Sequence, residues 1–173
     1  IGADNEFSSV QIGNENSAHI ANFNGQGNDV DLAQAGDMNT ALIQSSYPDT
    51  SLTSNDNDIN ISQLGSTNEA TLTFASVLNS NNNSVDFSQS GDLNAIDLVM
   101  EGSNHSIDIS QQGDMNMVAG IDTGAFIVGG DNINFTVTQV GNGNLVEGAI
   151  TASNTSVVIT QVGDYNTATV TQE

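Results

Sequence analysis

The segment SVVITQVGDYNTATVTQ, Ser156 to Gln172, reads as strand, turn, strand. Val157, Ile159 and Gln161 alternate along one face, Gly163 to Asn166 form the turn, and Ala168 and Val170 resume the alternation. A strict two-residue period is that of a strand with one buried face. At the centre of the segment lies Q-x-G-x-x-N. The same pattern starts at Gln11, Gln34, Gln63, Gln89, Gln111, Gln139 and Gln161. Successive Gln residues lie 23, 29, 26, 22, 28 and 22 apart. A minimal unit near 22 residues with variable excess is the signature of a solenoid, in which loops absorb the insertions.

The expected fold class is therefore all-β: a β-solenoid of seven strand-turn-strand rungs, stacking end to end into a cross-β-like fibre. One repeat domain is expected over residues 1–173, with rungs at about 5–21, 28–44, 57–74, 83–100, 105–119, 133–150 and 155–172. At about 4.8 Å per stacked strand, seven rungs stand roughly 34 Å tall. Ser9 makes rung one the least ideal before its turn. The longest link, SSYPDTSLTSND, holds the only proline, Pro48, which lacks an amide donor and belongs in a loop. After rung five comes an apolar, Gly-rich insertion over 120–131. There Gly120 takes an inward place that is apolar in earlier rungs, and Gly148 repeats it. Ala125 to Val128 either form a lateral contact between filaments or fold back on the solenoid.

Composition excludes several functions. The 173 residues include no Lys or Arg and 21 acidic residues, a formal charge of −21. Such a chain has no cations with which to grip the phosphates of nucleic acid, and an anionic membrane surface is disfavoured for the same reason. Strong net charge favours solubility or disorder. The regular apolar alternation argues for order, with the carboxylates on a solvated exterior. There is no cysteine, hence no disulfide framework and no thiolate site. No run of about 18 apolar residues is present, so no membrane span or insertion is expected. A start at Ile1 fits a mature, secreted form, and the lack of tryptic sites suits life outside the cell.

The inward amides are the unusual part. A buried amide is costly unless its donors and acceptors are paired. An identical amide one rung away pairs it, and the side chains then form ladders, as in cross-β assemblies. The expected ladder residues are the seven Gln named above with Asn16, Asn39, Asn68, Asn94, Asn116, Asn144 and Asn166. Gly13, Gly36, Gly65, Gly91, Gly113, Gly141 and Gly163 are the expected turn residues, since glycine tolerates the positive φ of a tight turn. The outer rungs carry the motif as fully as the inner ones, and no evident cap covers either end. An uncovered sheet edge templates another chain. Docking rung seven on rung one of the next copy is heterologous and does not close, so it gives a filament.

These residues resemble the curlin repeat, the unit of curli fibre subunits, whose pattern is approximately S-x5-Q-x-G-x-G-N-x-A-x3-Q. Gln, Gly and Asn match in all seven rungs. The Ala two places after Asn matches at Ala18, Ala41, Ala70 and Ala168. The family's Gly before Asn is replaced, for example by Met38, Leu93 and Tyr165, and its second Gln survives only at Gln172. Its opening Ser is usually another residue, such as Asn28, Asn57, Asn83 or His105. The resemblance implies an extracellular functional amyloid, secreted through an outer-membrane pore protein, polymerised on a nucleator, and serving biofilm matrix, adhesion and surface colonisation. Its implied partner is itself, as a head-to-tail homopolymer.

No enzyme is expected. His19 falls on the outward parity, and His105 occupies a structural amide position. No cofactor is expected, and no catalytic residue is assigned. Asp92 and Asp114, and Asp86 and Asp108, fall on adjacent rungs. Like charges one strand spacing apart repel, and calcium could bridge them through oxygen; solvated acidic stripes are the blander reading. The alternative function is a monomeric cation-binding or surface-binding solenoid. For a calcium β-roll only Gly129, Gly130 and Asp131 hint at the signature, and the period is wrong. For an ice-binding adhesin the T-x-T pairs, such as Thr71 and Thr73, do not recur at one rung position.

Overall fold

The computed structural model describes residues 2–46 and 49–173. Pro48 lies outside them. In chain order, rung one is β1 (Glu6–Ile12) and β2 (Ser17–Ala21), and rung two is β3 (Asp29–Ala35) and β4 (Thr40–Ser45). A short β5 (Ser54–Asn55) precedes β6 (Asp58–Leu64) and β7 (Glu69–Phe74), and β8 (Ser80–Asn81) precedes β9 (Ser84–Ser90) and β10 (Ala95–Met100). Rung five has β11 (Ser106–Gln112), β12 (Met117–Ala119), a 3-10 turn (Ile121–Thr123) and β13 (Phe126–Val128). Rungs six and seven are β14 (Asn134–Val140) with β15 (Leu145–Ile150), and β16 (Ser156–Val162) with β17 (Thr167–Gln172).

Every strand pairing is parallel and in register. The first strands of the rungs make one seven-stranded sheet in the order β1-β3-β6-β9-β11-β14-β16. The second strands make the facing sheet, and the inward side chains of both meet in one apolar core. This is the β-solenoid that the period implied. Alternation is strict inside it: in β6 Ile59, Ile61 and Gln63 are buried while Asp58, Asn60 and Ser62 face water. Each buried Ile, Leu or Phe contributes about 1.5–3 kcal/mol. The end rungs lack a neighbour on one side and gain less. Phe7 is 46% exposed, and Val157, Ile159, Ala168 and Val170 are only partly buried.

The insertion departs from expectation. Gly120 does not hold the inward place of rung five. Residues 120–124 loop out of the sheet, closed by Gly120 N donating to Gly124 O at 2.6 Å. The chain then rejoins it, and Phe126 pairs with Leu98. Phe126 is fully buried and stacks on Phe135 at 4.6 Å between centroids. Rung five therefore runs to Val128 rather than ending near 119. Burial of Phe126 and Val128 provides the apolar surface that a register with Gly120 inward would forfeit. Of the two readings of Ala125 to Val128, folding back is what occurs. Gly148 does sit inward, where a Cβ would meet Val170 O of the next rung at 1.8 Å.

The motif glycines have φ of 107–123°, a region closed to other residues. Sterics add a second demand. At Gly91 a Cβ would lie 2.1 Å from Gly113 O, because the rungs meet backbone to backbone at the turn. Gly91→Ala is expected to lower stability by about 2–4 kcal/mol, from strained φ and overpacking together. Gly124→Ala is the control, with φ of −89° and nothing within 4 Å of the added carbon. Urea denaturation of both variants checks this, and equal midpoints would contradict the close rung contact.

Candidate functional site: amide ladders and the end faces

The Gln ladder is continuous through all seven rungs. Gln11 Nε2 donates to Gln34 Oε1 at 2.7 Å, Gln34 to Gln63 at 2.7 Å, and Gln63 to Gln89 at 2.8 Å. Gln89 to Gln111, Gln111 to Gln139, and Gln139 to Gln161 follow, each at 2.9 Å. The second Nε2 hydrogen goes to the first backbone carbonyl after the previous rung's turn, as from Gln89 to Glu69 O at 3.0 Å. Both donors of each inner Gln are thus used, and among the described residues no buried side-chain N or O lacks a partner.

The Asn ladder runs in the opposite sense. Asn39 N and Nδ2 both donate to Asn16 Oδ1, and the step repeats to Asn166, which donates to Asn144 Oδ1. The Nδ2 group also reaches the motif glycine of the next rung, as from Asn94 to Gly113 O at 2.7 Å. A third column sits at the turn tip. Asp92 N donates to Asp114 Oδ1, Asp114 N to Asn142 Oδ1, and Asn142 N to Asp164 Oδ1, all within 2.8–2.9 Å. Among the six steps of this column, only the one into Ser66 lacks such a bond.

The other turn of each rung uses the same scheme, which the motif did not reveal. Asn28 donates from N and Nδ2 to Asn5 Oδ1, Asn57 to Asn28, and Asn83 to Asn57. His105 continues the column. Its N donates to Asn83 Oδ1, and its Nδ1 accepts from Ile133 N at 3.2 Å while Nε2 lies 3.0 Å from Glu101 O. This arrangement needs the neutral ring with its proton on Nε2. Burial holds the His105 pKa below its usual 6.5. The residue before each ladder Asn is left-handed in both turns, as at Met38 and Leu93, or Asp56 and Asn82. In the motif turn only rung six has glycine there, Gly143. The sequence signal was an Asn six places before Gln in four of the seven rungs.

Glu101 was also unread. Its buried carboxylate accepts from the backbone of Ser76, Val77 and Leu78 and from the Ser76 hydroxyl, which pins the link after β7. Of the acidic pairs, Asp86 pairs with Asp108 in register, and burial pushes Asp86 up, with Asp108 and Asp58 adding to it. Asp92 and Asp114 serve the turn backbone. Among the described residues no three His, Cys, Asp or Glu gather as a metal site. His19 is exposed on β2.

The ladders give the two end faces opposite character. Among the described residues, on the rung-seven face, Gln161 Nε2 donates to Leu145 O and keeps one hydrogen free, the backbone N of Asp164 is free, and Asn166 Oδ1 accepts nothing. The rung-one face shows the reverse among the described residues: Gln11 Oε1 and Asn14 Oδ1 are free acceptors, and Asn16 N is a free donor. In these three columns the acceptor or donor that continues each ladder is left free on one face and its opposite on the other.

The family model described as the curlin associated repeat matches residues 81–113, which span rung four and the first strand and turn glycine of rung five. The chain carries a curlin repeat there. No curated protein and no solved structure matches the chain.

His105 yields a pH test. A histidine whose folded pKa is depressed contributes stability above its unfolded value and loses it as pH falls through the folded one. His105→Asn keeps an amide in the column without that titration. The two proteins are expected to differ by a constant amount above pH 7, with the variant gaining on the parent below pH 6.5. Thermal melts from pH 8 to pH 4 check it, and parallel curves throughout would contradict a neutral His105 in the ladder.

Proposed function

We propose that the chain is the structural subunit of an extracellular amyloid-like fibre of the curli type. Rung seven of one copy docks on rung one of the next. The observation that carries this reading is the opposed hydrogen-bond polarity of the two end faces. Head-to-tail stacking brings Gln161 Nε2 to Gln11 Oε1, Asp164 N to Asn14 Oδ1, and Asn16 N to Asn166 Oδ1. Head-to-head stacking would oppose Gln11 acceptors to one another, and tail-to-tail would oppose Gln161 donors. Burying such unmatched groups costs about 1–3 kcal/mol each. Half-covered Phe7 and Ile20 would meet Val157 and Val170, completing the core that each end face leaves open.

The role is structural rather than catalytic, in a biofilm matrix that supports adhesion and surface colonisation. Secretion through an outer-membrane pore and growth from a nucleator follow from the same reading, since a nucleator need only present a rung with the same columns. Charge sets the conditions. Each copy adds −21 to the filament with no cation to offset it, so salt or a pH near the pI of about 4.1 favours growth.

Electron microscopy with diffraction from aligned material is the first test. Unbranched filaments with a meridional repeat near 4.8 Å are expected, and persistent monomers would overturn the reading. Gly163→Ala sharpens it. Within one chain a Cβ on Gly163 meets nothing closer than 3.6 Å, whereas at Gly141 it would lie 2.2 Å from the Gly163 carbonyl. In a docked filament, Gly163 would face the Gly13 carbonyl in the same way. Gly163→Ala should therefore fold, with a loss of about 1–2 kcal/mol from its φ, and elongate at least tenfold more slowly. Elongation at the parent rate would contradict this junction.

A further inference from the structure

The outer face of the first sheet is not uniform. Its acidic side chains fall in the columns three and five residues before Gln, including Asp29, Asp31, Asp58, Asp86 and Asp108. The residues immediately before and after each Gln are different. Across all seven rungs these fourteen positions hold no charged side chain, and none is buried. They form a strip two columns wide. Its ends are apolar and exposed, with Ile12 66% and Leu64 58% accessible at one end and Val162 73% at the other. Its middle carries Ser88, Ser90 and Ser110. Between Ile12 and Leu64 the small Ala35 leaves a shallow groove of about 220 Å³.

We propose that this strip is a lateral interface on which a second filament of the same chain packs. The inference rests on the end-to-end filament above. Stacking brings rung seven of one copy beside rung one of the next, so the apolar ends join: Val140 and Val162 continue into Ile12, Ala35 and Leu64. The occupant is identified by charge. Two bodies that each carry −21 per subunit and no cation can approach closely only where neither presents carboxylates. The strip is such a surface, and its knobs and the groove at Ala35 let it pack on a copy of itself. Area sets when it acts. Two columns lie about 7 Å apart and the strip runs about 34 Å, a few hundred Å² per subunit against the roughly 800 Å² per partner of a stable complex. Single subunits therefore do not pair through it. Filaments do, because each added subunit repeats the contact at high effective concentration.

The test uses the full chain assembled at about 0.15 M salt, where screening reaches about 8 Å, with filament mass per length and width measured by electron microscopy. The parent is expected to form paired filaments. The double variant Leu64→Asp with Val162→Asp leaves the core and ladders untouched and should give single filaments with an unchanged axial repeat, the paired fraction falling at least tenfold. Ser106→Asp with Ser156→Asp adds the same charge to the same sheet outside the strip and should pair like the parent. Pairing by the first variant, loss of pairing by the second, or single parent filaments would each overturn the lateral interface while leaving the fibre intact. Absence of parent filaments would overturn both readings together, and is recognisable as such because no variant need be compared.

Discussion

A buried amide must find its partner one rung away, and this requirement organises the molecule. The Gln side chain sits inside an apolar core, where an unpaired donor costs about 1–3 kcal/mol. Only the same side chain at the same height of the next rung offers an acceptor at 2.7–2.9 Å. Register follows, since a one-residue slip would place every Gln outside and every outward polar residue inside. Parallel pairing follows too, because only parallel rungs bring like to like.

Close stacking then dictates the turns. A rung held by side-chain and backbone bonds at once leaves no room at the corner for a Cβ, so glycine holds the motif turn wherever another rung stacks beyond it, from Gly13 to Gly141. The links obey a looser rule. They absorb insertions such as the loop at 120–124, provided the chain returns in register, which Phe126 accomplishes by pairing with Leu98. Charge is confined by the same geometry. With no cation in the chain, carboxylates either face water or receive backbone N–H groups, as Asp114 does from Asp92 and Glu101 from the link after β7.

The sequence made the solenoid legible because Gln, Gly and Asn recur together, and each type answers a demand few other residues meet. The Gln register and the motif glycines could be read at once. The second turn could not, since its geometry tolerates Gly102, Ser54 or Ala152 at one corner and Asn, His, Ile or Thr at the ladder position. Its backbone bonds recur while its side chains vary. The left-handed residue before Asn was equally hidden, because Met38, Leu93 and Tyr165 give no hint of positive φ. Rung five misled for another reason: counting by two from Asn116 reaches Gly120, whereas six extra residues in the chain put Phe126 opposite Leu98 instead. Glu101 could not be anticipated, since its partners lie 23 to 25 residues away in a link of irregular length.

End-to-end docking requires the amide columns to run on from one copy into the next. Filaments grown from an equal mixture of copies, one carrying 15N-glutamine and the other 13C-glutamine, place it under direct test by solid-state NMR. Resonances would be assigned with Gln11→Asn and Gln161→Asn variants. Transfer from 15Nε2 of Gln161 in one copy to 13Cδ of Gln11 in another is the expected result, at the strength of the contacts within a chain. Intermolecular transfer between Gln11 and Gln11, or none involving either end residue, would contradict columns that continue across the junction.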